Sequence, residues 1–354
     1  MNVAIVLVHY HTPELAVRAH EALAADLATS QLEAEWLLVD NGSDEREKEI
    51  LRSLPVRLLE PGKNLGYAGG ANLGVRESTA DFIFVMNPDV EVLPGCAAAL
   101  CEALSAGAAV AGPRFYWDAD RCFQLPPTEK RNRYDELLRA LAHRGPGMAR
   151  RARQRWRRHA WRLWTCAETT PCFELSGAML AFQRQAWEEL EGFDEGYPLY
   201  FEETDFLERL RRQKRRAAFF PAAFVPAAEA VHLYAQSTLA EPRANDWFAQ
   251  SQRRFFHRFY GAGFTRFLER LSRRSSNWPE KLPTSTDAEA HWLEVAASPL
   301  GFPAAGRNVA GLPKSQVFEL AGSLRARMPA GTYYLRLLDK SGRELAQRSL
   351  AVSS

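Results

Sequence analysis

The stretch Val3–Tyr10, VAIVLVHY, decides the fold class of this chain, because its apolar residues run without interruption from near the N-terminus. A continuous apolar run of this length is typical of a strand buried on both faces of a parallel sheet. Three further strands are predicted at 35–41 (EWLLVDN), 56–61 (VRLLEP) and 81–89 (DFIFVMNPD), and an amphipathic helix at Leu15–Leu27. This alternation predicts an α/β fold with a mostly parallel central sheet and helices on its faces.

The composition is that of an ordinary soluble globular protein. The 354 residues are 46% hydrophobic and 25% charged, and the net charge of +2 identifies no partner. No apolar run is long enough to cross a bilayer, and the N-terminus lacks the basic region and cleavage site of a signal peptide. The five cysteines form no C-x-x-C pair, so neither a disulfide framework nor a structural zinc site is expected. A reducing cytoplasm is therefore the predicted compartment.

The later segments change character and predict a second domain. A catalytic domain is expected over residues 1–275, with a basic helical insertion at about 130–165. A polar, proline-containing linker follows at 276–285, and residues 286–354 have the pattern of a small all-β domain of unknown role. We expect this last domain to fold independently.

The basic insertion contains the segment RRARQRWRRHAWRLW (150–164), in which arginines surround an alanine- and tryptophan-containing face. It is either a solvated or partner-facing helix, or an interfacial helix on anionic lipid, because tryptophan with arginine is typical of membrane surfaces. Nucleic acid is disfavoured because no recognisable nucleic-acid-binding module accompanies the charge. We therefore expect residues 150–162 to contact an anionic membrane.

Three short motifs follow the predicted strands, at the edge where parallel sheets bind ligands. VDNGSD (39–44) is either a turn or supplies a carboxylate that hydrogen-bonds a nucleobase. NLGYAGGANLG (64–74) is either a flexible loop or a close approach to a phosphate-bearing ligand, without the spacing of a dinucleotide fingerprint or a P-loop. Asn87-Pro88-Asp89 is either an ordinary strand exit or an oxygen ligand for a divalent ion.

Two further features carry ionisable side chains in apolar surroundings. LYFEETDF (199–206) places three carboxylates between aromatic residues, and it indicates either a helix start or a catalytic carboxylate. His232 is either a core histidine or a ligand, whereas His9 and His11 are interpreted as structural.

Taken together and in order, these motifs resemble the family 2 inverting glycosyltransferases of bacteria, especially their rhamnosyltransferase-like branch. The resemblance covers Met1 to about Arg273, and its matching runs are VAIVLVHYHTPE, VDNGSD, NLGYAGGANLG, NPDV, GAMLAFQRQAWEELEGFDEGYPLYFEETDFLERLRRQ and VHLYAQST. It implies a Rossmann-like A-type glycosyltransferase fold, a nucleoside-diphosphate-sugar donor and a divalent metal, manganese or magnesium.

The resemblance also implies roles for individual residues. Tyr10 corresponds to the position that packs against the base of the donor, and Asp40 to its hydrogen-bonding carboxylate. The other implied donor-binding residues are Asn64, Gly70, Asn72 and Asn87.

The metal and the catalytic base are implied in the same way. Asp89 stands at the metal-binding position and His232 matches a second metal ligand of some members. The family's base is the second acid of a Glu-Asp-x-Asp pattern, and Glu203 occupies that position here, with Glu202 beside it.

The implied function is a metal-dependent hexosyltransferase of cell-envelope polysaccharide synthesis, which takes rhamnose from a dTDP- or UDP-sugar to a glycan or lipid-linked acceptor. The expected location is the cytoplasm, with peripheral contact at the inner face of the membrane. Two alternatives stay open: a catalytically inactive glycan- or nucleotide-binding scaffold of the same fold, and a nucleotidyltransferase.

Overall fold

The computed structural model describes residues 2–213, 222–233, 243–272, 289–320, 328 and 330–352. They divide into two compact units, each made of two chain segments. The first unit is Met1–Phe115 with Cys166–Phe259, and the second is Tyr116–Thr165 with Tyr260–Ser354. The predicted linker at 276–285 lies outside the described residues.

Strands and helices alternate along the described chain. The elements up to the first unit's sixth strand are β1 (Asn2–His9), α1 (Pro13–Ser30), β2 (Glu33–Asp40), α2 (Glu45–Arg52), β3 (Arg57–Leu59), α3 (Gly66–Arg76), β4 (Phe82–Met86), β5 (Val90–Val92), α4 (Cys96–Ser105) and β6 (Val110–Tyr116). The later elements are α5 (Arg133–Ala142), α6 (Pro146–Trp164), β7 (Thr170–Pro171), β8 (Met179–Gln183), α7 (Arg184–Glu189), α8 (Glu202–Gln213), β9 (Ala222–His232), α9 (Ala244–Tyr260), α10 (Ala262–Ser272), β10 (Trp292–Ala296), β11 (Ala305–Asn308), α11 (Lys314–Leu320), β12 (Gly331–Leu338) and β13 (Glu344–Val352).

The first unit is built on one sheet with the strand order β3-β2-β1-β4-β8-β6-β9-β5, and β7 pairs with β9. The strands β1 to β4, all predicted from the sequence, pair in parallel, which confirms the α/β class. Next to them, β8 runs antiparallel to both β4 and β6, so β6 runs in the same direction as β4. The carboxyl ends of β1, β2 and β4 therefore meet at one edge.

Helix α3 approaches β1 at a distance that only glycine permits. A methyl group on Gly74 would lie 2.3 Å from Cγ1 of Val6, and one on Gly70 would lie 2.8 Å from Cγ1 of Val8. Both valines are buried residues of strand β1. The glycines of NLGYAGGANLG thus seat the helix directly on the sheet, which places residues 64–66 over the strand ends.

The second unit contains a separate antiparallel sheet with the order β11-β10-β12-β13, which confirms the predicted C-terminal β structure. The short helix α11 lies between β11 and β12 in the chain. The core of this unit is rich in aromatic side chains from both of its chain segments. Trp156 and Trp164 of α6 pack in it with Trp292, Phe302 and Leu338.

The buried arginines of α6 show why the basic segment belongs with the C-terminal strands. Arg157 donates from Nε and Nη2 to Glu294 at 2.7 and 2.8 Å. Arg153 donates to Glu344 at 2.6 and 3.2 Å. The sequence predicted residues 130–165 as an insertion in a catalytic domain, which differs from the observed division. The basic segment belongs with the C-terminal strands because the carboxylates that neutralise its buried arginines come from those strands.

The packing of α6 limits the interfacial-helix interpretation, whereas contact of its exposed arginines with an anionic membrane stays a prediction. Its apolar face, with Trp156 and Trp164, is covered by the core of its own unit and is not available for insertion into lipid. The arginines that remain exposed are Arg150, Arg151, Arg158 and Arg162. Within the part of the chain that the structure describes, no helix is both long and apolar enough to span a membrane.

Candidate active site

A cavity of about 280 Å³ opens in the first unit at the carboxyl ends of the parallel strands. Its lining comes from the residues that follow β1, β2 and β4, from the start of α8 and from the end of β9. Seven of the ten predicted site residues line it, namely Tyr10, Asn64, Asn87, Asp89, Glu202, Glu203 and His232. Asp40, Gly70 and Asn72 do not.

Asp40 lies buried under the cavity and stabilises the turn after β2. Its Oδ1 accepts hydrogen bonds from the backbone N–H of Ser43 at 3.0 Å and of Gly42 at 3.3 Å. Nε2 of His9 accepts from the N–H of Thr12, so Nδ1 carries the proton and faces Asp40 Oδ1 at 3.5 Å. Burial alone raises the pKa of Asp40, but the hydrogen bonds from His9 and Ser43 outweigh it and lower this pKa to about 2. Asp40 is thus ionised at neutral pH and hydrogen-bonded within the turn, and its implied contact with the donor's base stays a prediction.

Asn41, next in sequence to Asp40, lines the cavity in its place. Its Nδ2 donates to the carbonyl of Gly66 at 3.0 Å, and its Oδ1 accepts from the N–H of Leu65 at 3.2 Å. Asn64 completes the turn by accepting from the N–H of Gly66 at 2.7 Å. The two asparagines therefore shape the loop before α3, and Asn41 was not among the residues predicted from the sequence.

Gly70 and Asn72 hold together the elements that surround the site. Gly70 provides the close contact of α3 with β1. Asn72 holds the segment before α8, since its Nδ2 donates to the carbonyl of Phe193 and its Oδ1 accepts the N–H of the same residue, both at 2.9 Å. The same Nδ2 donates to Glu195 at 3.0 Å.

Asp89 and His232 stand side by side on the cavity wall. The ladder between β5 and β9 holds them together, and Asp89 Oδ1 lies 3.4 Å from His232 Nε2. A carboxylate oxygen and an imidazole nitrogen form a suitable donor pair for manganese, and the oxygen also suits magnesium. Among the described residues no three His, Cys, Asp or Glu side chains cluster as a metal site. A divalent ion at this pair would therefore depend on water and a bound ligand for its other donors.

The segment LYFEETDF turns sharply into α8. Tyr200 and Phe201 both adopt the left-handed conformation, with φ of 65° and 71°. Such residues cost about 1–3 kcal/mol each and persist where the surroundings hold them. Ser251 Oγ donates to the carbonyl of Leu199 at 2.7 Å, and the ring of Phe201 lies 5.4 Å from that of Phe255. The strained turn brings the first two residues of α8 to the cavity.

The two carboxyl groups at the start of α8 have different environments. Glu202 is buried, and its Oε2 has no hydrogen-bond partner among the described residues. Burial, followed by the charge of Glu203, raises the pKa of Glu202 well above its usual range. Glu203 is only half-buried. The site therefore pairs a buried carboxyl group of raised pKa with a more accessible glutamate.

Asp205 anchors α8 from the inside. It is fully buried, and its Oδ2 accepts from Nε of Arg209 at 2.5 Å. Its Oδ1 accepts from Arg258 at 2.8 Å and from the hydroxyl of Tyr197 at 3.1 Å. The third acid of LYFEETDF is thus the centre of a charged network that fixes the helix carrying the other two.

Tyr67 and Gly177 line the cavity but had not been singled out in the sequence. The hydroxyl of Tyr67 donates to the carbonyl of Gly177 at 2.9 Å. Burial raises the pKa of Tyr67 well above its usual value, and the carboxylates of Glu202, Glu203 and Asp89 add to this. Tyr67 lies in the run NLGYAGGANLG, and Gly177 begins the run GAMLAFQ. Membership of these motifs was the sequence signal that could have identified them as site residues.

Comparison with known proteins gives consistent results. The family described as "Glycosyl transferase family 2" matches residues 4–164. The N-acetylglucosaminyl-diphospho-decaprenol L-rhamnosyltransferase of Mycobacterium tuberculosis is 31% identical over 229 residues, which cover 59% of this chain and 69% of the relative. The low-salt glycan biosynthesis hexosyltransferase Agl10 of Haloferax volcanii is 33% identical over 63 residues, covering 17% of this chain and 20% of that protein.

Among solved structures, the mannosyltransferase PcManGT from Pyrobaculum calidifontis in complex with GDP-Man and Mn2+ is 15% identical. The match covers 78% of this chain and 76% of that one, with a TM-score of 0.41. The family assignment rests on the mycobacterial relative, which agrees with the ordered motifs. The chain belongs to glycosyltransferase family 2.

Proposed function

We propose that the chain is an inverting glycosyltransferase that moves rhamnose from a nucleoside-diphosphate sugar to a lipid-linked acceptor. The observation that carries this proposal is the shared cavity, in which Glu203 and the Asp89–His232 pair line the same space as Tyr10. Such a cavity offers a base for an acceptor hydroxyl, donors for a cation and an aromatic ring for a nucleobase.

Inversion requires a single displacement at the anomeric carbon. In our proposal Glu203 accepts the proton of the acceptor hydroxyl. The oxygen of that hydroxyl forms the new bond to the anomeric carbon. The bond from the carbon to the donor's diphosphate breaks, and its electron pair leaves with the nucleoside diphosphate. Burial raises the pKa of Glu202, which disfavours a second negative charge beside the base.

The departing diphosphate needs positive charge close to it. Asp89 and His232 are the residues that would hold a manganese or magnesium ion, which when bound supplies Lewis-acid stabilisation of the leaving group. Asn64, Gly66 and Asn87 line the same cavity and are available to bind the donor. Tyr10 also lines this cavity, and in our proposal its ring packs against the base.

The choice of substrates is supported by the mycobacterial relative. Its name describes an L-rhamnosyltransferase acting on an N-acetylglucosaminyl-diphospho-decaprenol. We extend this to rhamnose from a dTDP- or UDP-linked donor and to an acceptor carried on a lipid diphosphate. The reaction then contributes to cell-envelope polysaccharide at the cytoplasmic face of the membrane.

The test is a transfer assay with the purified full-length chain, dTDP-rhamnose or UDP-sugars, manganese and a lipid-diphosphate acceptor. We expect release of nucleoside diphosphate, and a glycosidic product whose anomeric configuration, read by NMR, is inverted. Glu203→Gln should lower turnover by about two to four orders of magnitude while donor affinity stays the same. Glu188→Gln, which alters a carboxylate of 63% exposure outside the cavity, is the matched control. Retained configuration, or wild-type turnover in Glu203→Gln, would contradict the mechanism.

A further inference from the structure

The second unit contains a cavity of its own, of about 180 Å³, between α5 and α6. Five cationic side chains line it, and a single carboxylate, that of Asp135, accompanies them. The cations are Lys130, Arg139, Arg155, Arg158 and Arg162. The apolar part of the lining includes the rings of Trp156 and Phe302. This lining combines strong positive charge with an aromatic surface.

Two of the five cations are neutralised within the unit. Arg139 pairs with Glu136 at 2.6 Å and with Glu129 at 3.3 Å. Arg155 donates to Asp135 at 3.0 Å. Asp135, the carboxylate that lines the cavity, is therefore already paired with Arg155. No lining carboxylate is left to neutralise the remaining cations.

Lys130, Arg158 and Arg162 have no carboxylate partner among the described residues. Arg158 and Arg162 are one turn apart on α6, on the same side as Arg155. Like charges this close repel one another, which disfavours the arrangement unless an anion balances it. Three uncompensated cations around one cavity therefore favour an anionic ligand.

A buried hydrogen-bond donor gives an independent indication. Trp156 lines the cavity and is only 7% exposed. Its indole Nε1 has no acceptor among the described residues. Buried donors are nearly always paired in folded proteins, so an unpaired donor on a residue that lines the cavity is consistent with an acceptor bound there. An oxygen of a bound anion would satisfy it.

We propose that this cavity binds the phosphate or diphosphate group of an anionic ligand. Guanidinium groups match phosphate oxygens in charge and geometry, and Arg158 with Arg162 supplies two of them. The volume is below the roughly 300–1,000 Å³ of drug-sized ligand sites, which suits a phosphate group with a small attached part. The site is separate from the candidate active site and does not depend on the function proposed for it.

The alternative is a solvated basic face without a ligand, and paired substitutions on α6 separate the two. Arg158→Gln with Arg162→Gln removes two cavity cations. Arg150→Gln with Arg151→Gln removes two arginines of the same helix that are also exposed but do not line the cavity. Thermal unfolding of both double variants establishes that each retains the fold.

Calorimetric titration of the full-length chain with inorganic pyrophosphate is the first measurement. We expect binding that weakens with salt. The Arg158/Arg162 double variant should lose at least about tenfold in affinity, because charge-assisted contacts to phosphate are lost. The Arg150/Arg151 double variant should stay within about twofold, since screened charges outside the cavity contribute little. Trp156→Phe keeps an aromatic ring but removes the N–H, and should lower the affinity by a smaller factor.

Vesicles distinguish the source of the phosphate. Sedimentation with phosphatidic acid vesicles, against phosphatidylcholine vesicles, presents the same group on a lipid. Binding of pyrophosphate with the stated variant pattern supports a soluble phosphate ligand, and the same pattern with phosphatidic acid vesicles alone supports a lipid headgroup. The proposal is overturned if neither probe binds, or if the Arg150/Arg151 pair loses as much as the Arg158/Arg162 pair.

Discussion

The side chain of Glu203 lies directly against Gly177. A methyl group on Gly177 would stand 3.0 Å from Cγ and 3.2 Å from Cδ of Glu203. Tyr67 fixes Gly177 from the other side through the hydrogen bond to its carbonyl. The absent side chain at residue 177 thus makes the room in which a glutamate, longer than the aspartate of the family pattern, is accommodated.

Gly177→Ala should therefore displace Glu203 by a few tenths of an ångström. Because catalytic groups displaced by 1 Å lose about a hundredfold in rate, we expect turnover to fall by about tenfold, with donor affinity unchanged. Steady-state kinetics and donor titration separate these two quantities. Gly147→Ala, at a position with nothing within 4 Å of the new methyl group, is the control and should leave turnover unchanged. Equal turnover in both variants would contradict the placement of Glu203.

Glu202→Gln should change the pH dependence of stability. Burial raises the pKa of Glu202 in the folded state, so folding favours its protonated form. The contribution of this group to the unfolding free energy of the wild type is therefore fully present below the ordinary pKa of 4.5. It is lost as the pH rises towards the pKa of the folded state. The slope is up to about 1.4 kcal/mol per pH unit.

Glutamine does not titrate, so Glu202→Gln should gain unfolding free energy relative to the wild type as the pH rises above about 4.5. Urea denaturation at pH 4, 6 and 8 measures the difference. Parallel pH profiles for the two proteins would show that Glu202 is not buried in its protonated form. Because glutamine resembles a protonated carboxyl group, most of the turnover should remain.

Asp89→Ala should abolish the effect of a divalent cation on nucleotide binding. We expect manganese or magnesium to strengthen the binding of a nucleoside diphosphate to the wild type, since a cation bridges the carboxylate and the phosphates. His232→Ala should reduce this effect less, because a neutral imidazole contributes no negative charge. Calorimetry with and without metal tests both variants, and metal-independent binding by the wild type would refute the expectation.

Asp205→Asn should act on stability and not on chemistry. The substitution leaves Arg209 and Arg258 without the buried carboxylate that both contact. We expect a loss of about 3 kcal/mol in unfolding free energy, the lower end for breaking a buried ion pair, because the arginines are partly exposed. Chemical denaturation measures it. A change below about 1 kcal/mol would indicate that the network does not hold α8.

A chain that ends at residue 288 should not keep the second unit folded. The sequence suggested that the C-terminal strands form an independent domain, yet their removal uncovers Trp156 and Trp164 and takes away Glu344 and Glu294, which pair with the buried Arg153 and Arg157. We expect insoluble protein or strong binding of a hydrophobic dye. A soluble truncated protein with a cooperative unfolding transition would instead support the domain boundary predicted from the sequence at 276–285.

A single substitution tests the same contact more finely. Arg157→Met leaves Glu294, which is 1% exposed, without its cation, and should cost about 3–5 kcal/mol of unfolding free energy. Arg151→Met alters an exposed arginine of the same helix and should be close to neutral. Similar unfolding midpoints for the two variants would count against the network.

The sequence by itself determined the parallel strands and the family. Strand β1 is an uninterrupted apolar run, and its pairing partners β2 and β4 have the same local pattern, so their prediction needed no information from distant residues. The order of the short motifs identified the family in the same way. Local hydrophobic pattern is readable because it depends on neighbours in the chain.

The tertiary structure decided which of two neighbouring polar residues reaches the cavity and which is buried beside it. Asp40 and Asn41 are adjacent and both polar, yet the first is directed into the turn and only the second reaches the cavity. Glu202 and Glu203 differ in the same way, because a left-handed turn at Tyr200 and Phe201 sets which of them is buried.

The basic helix shows the same dependence on distant residues. Its sequence contains no acid, but Glu294 and Glu344, 137 and 187 residues away from Arg157, neutralise its buried arginines. Charge balance and burial are set by contacts between segments far apart in the chain. A pattern of neighbouring residues predicts where strands and helices form, whereas only the fold brings together the groups that set each side chain's charge and role.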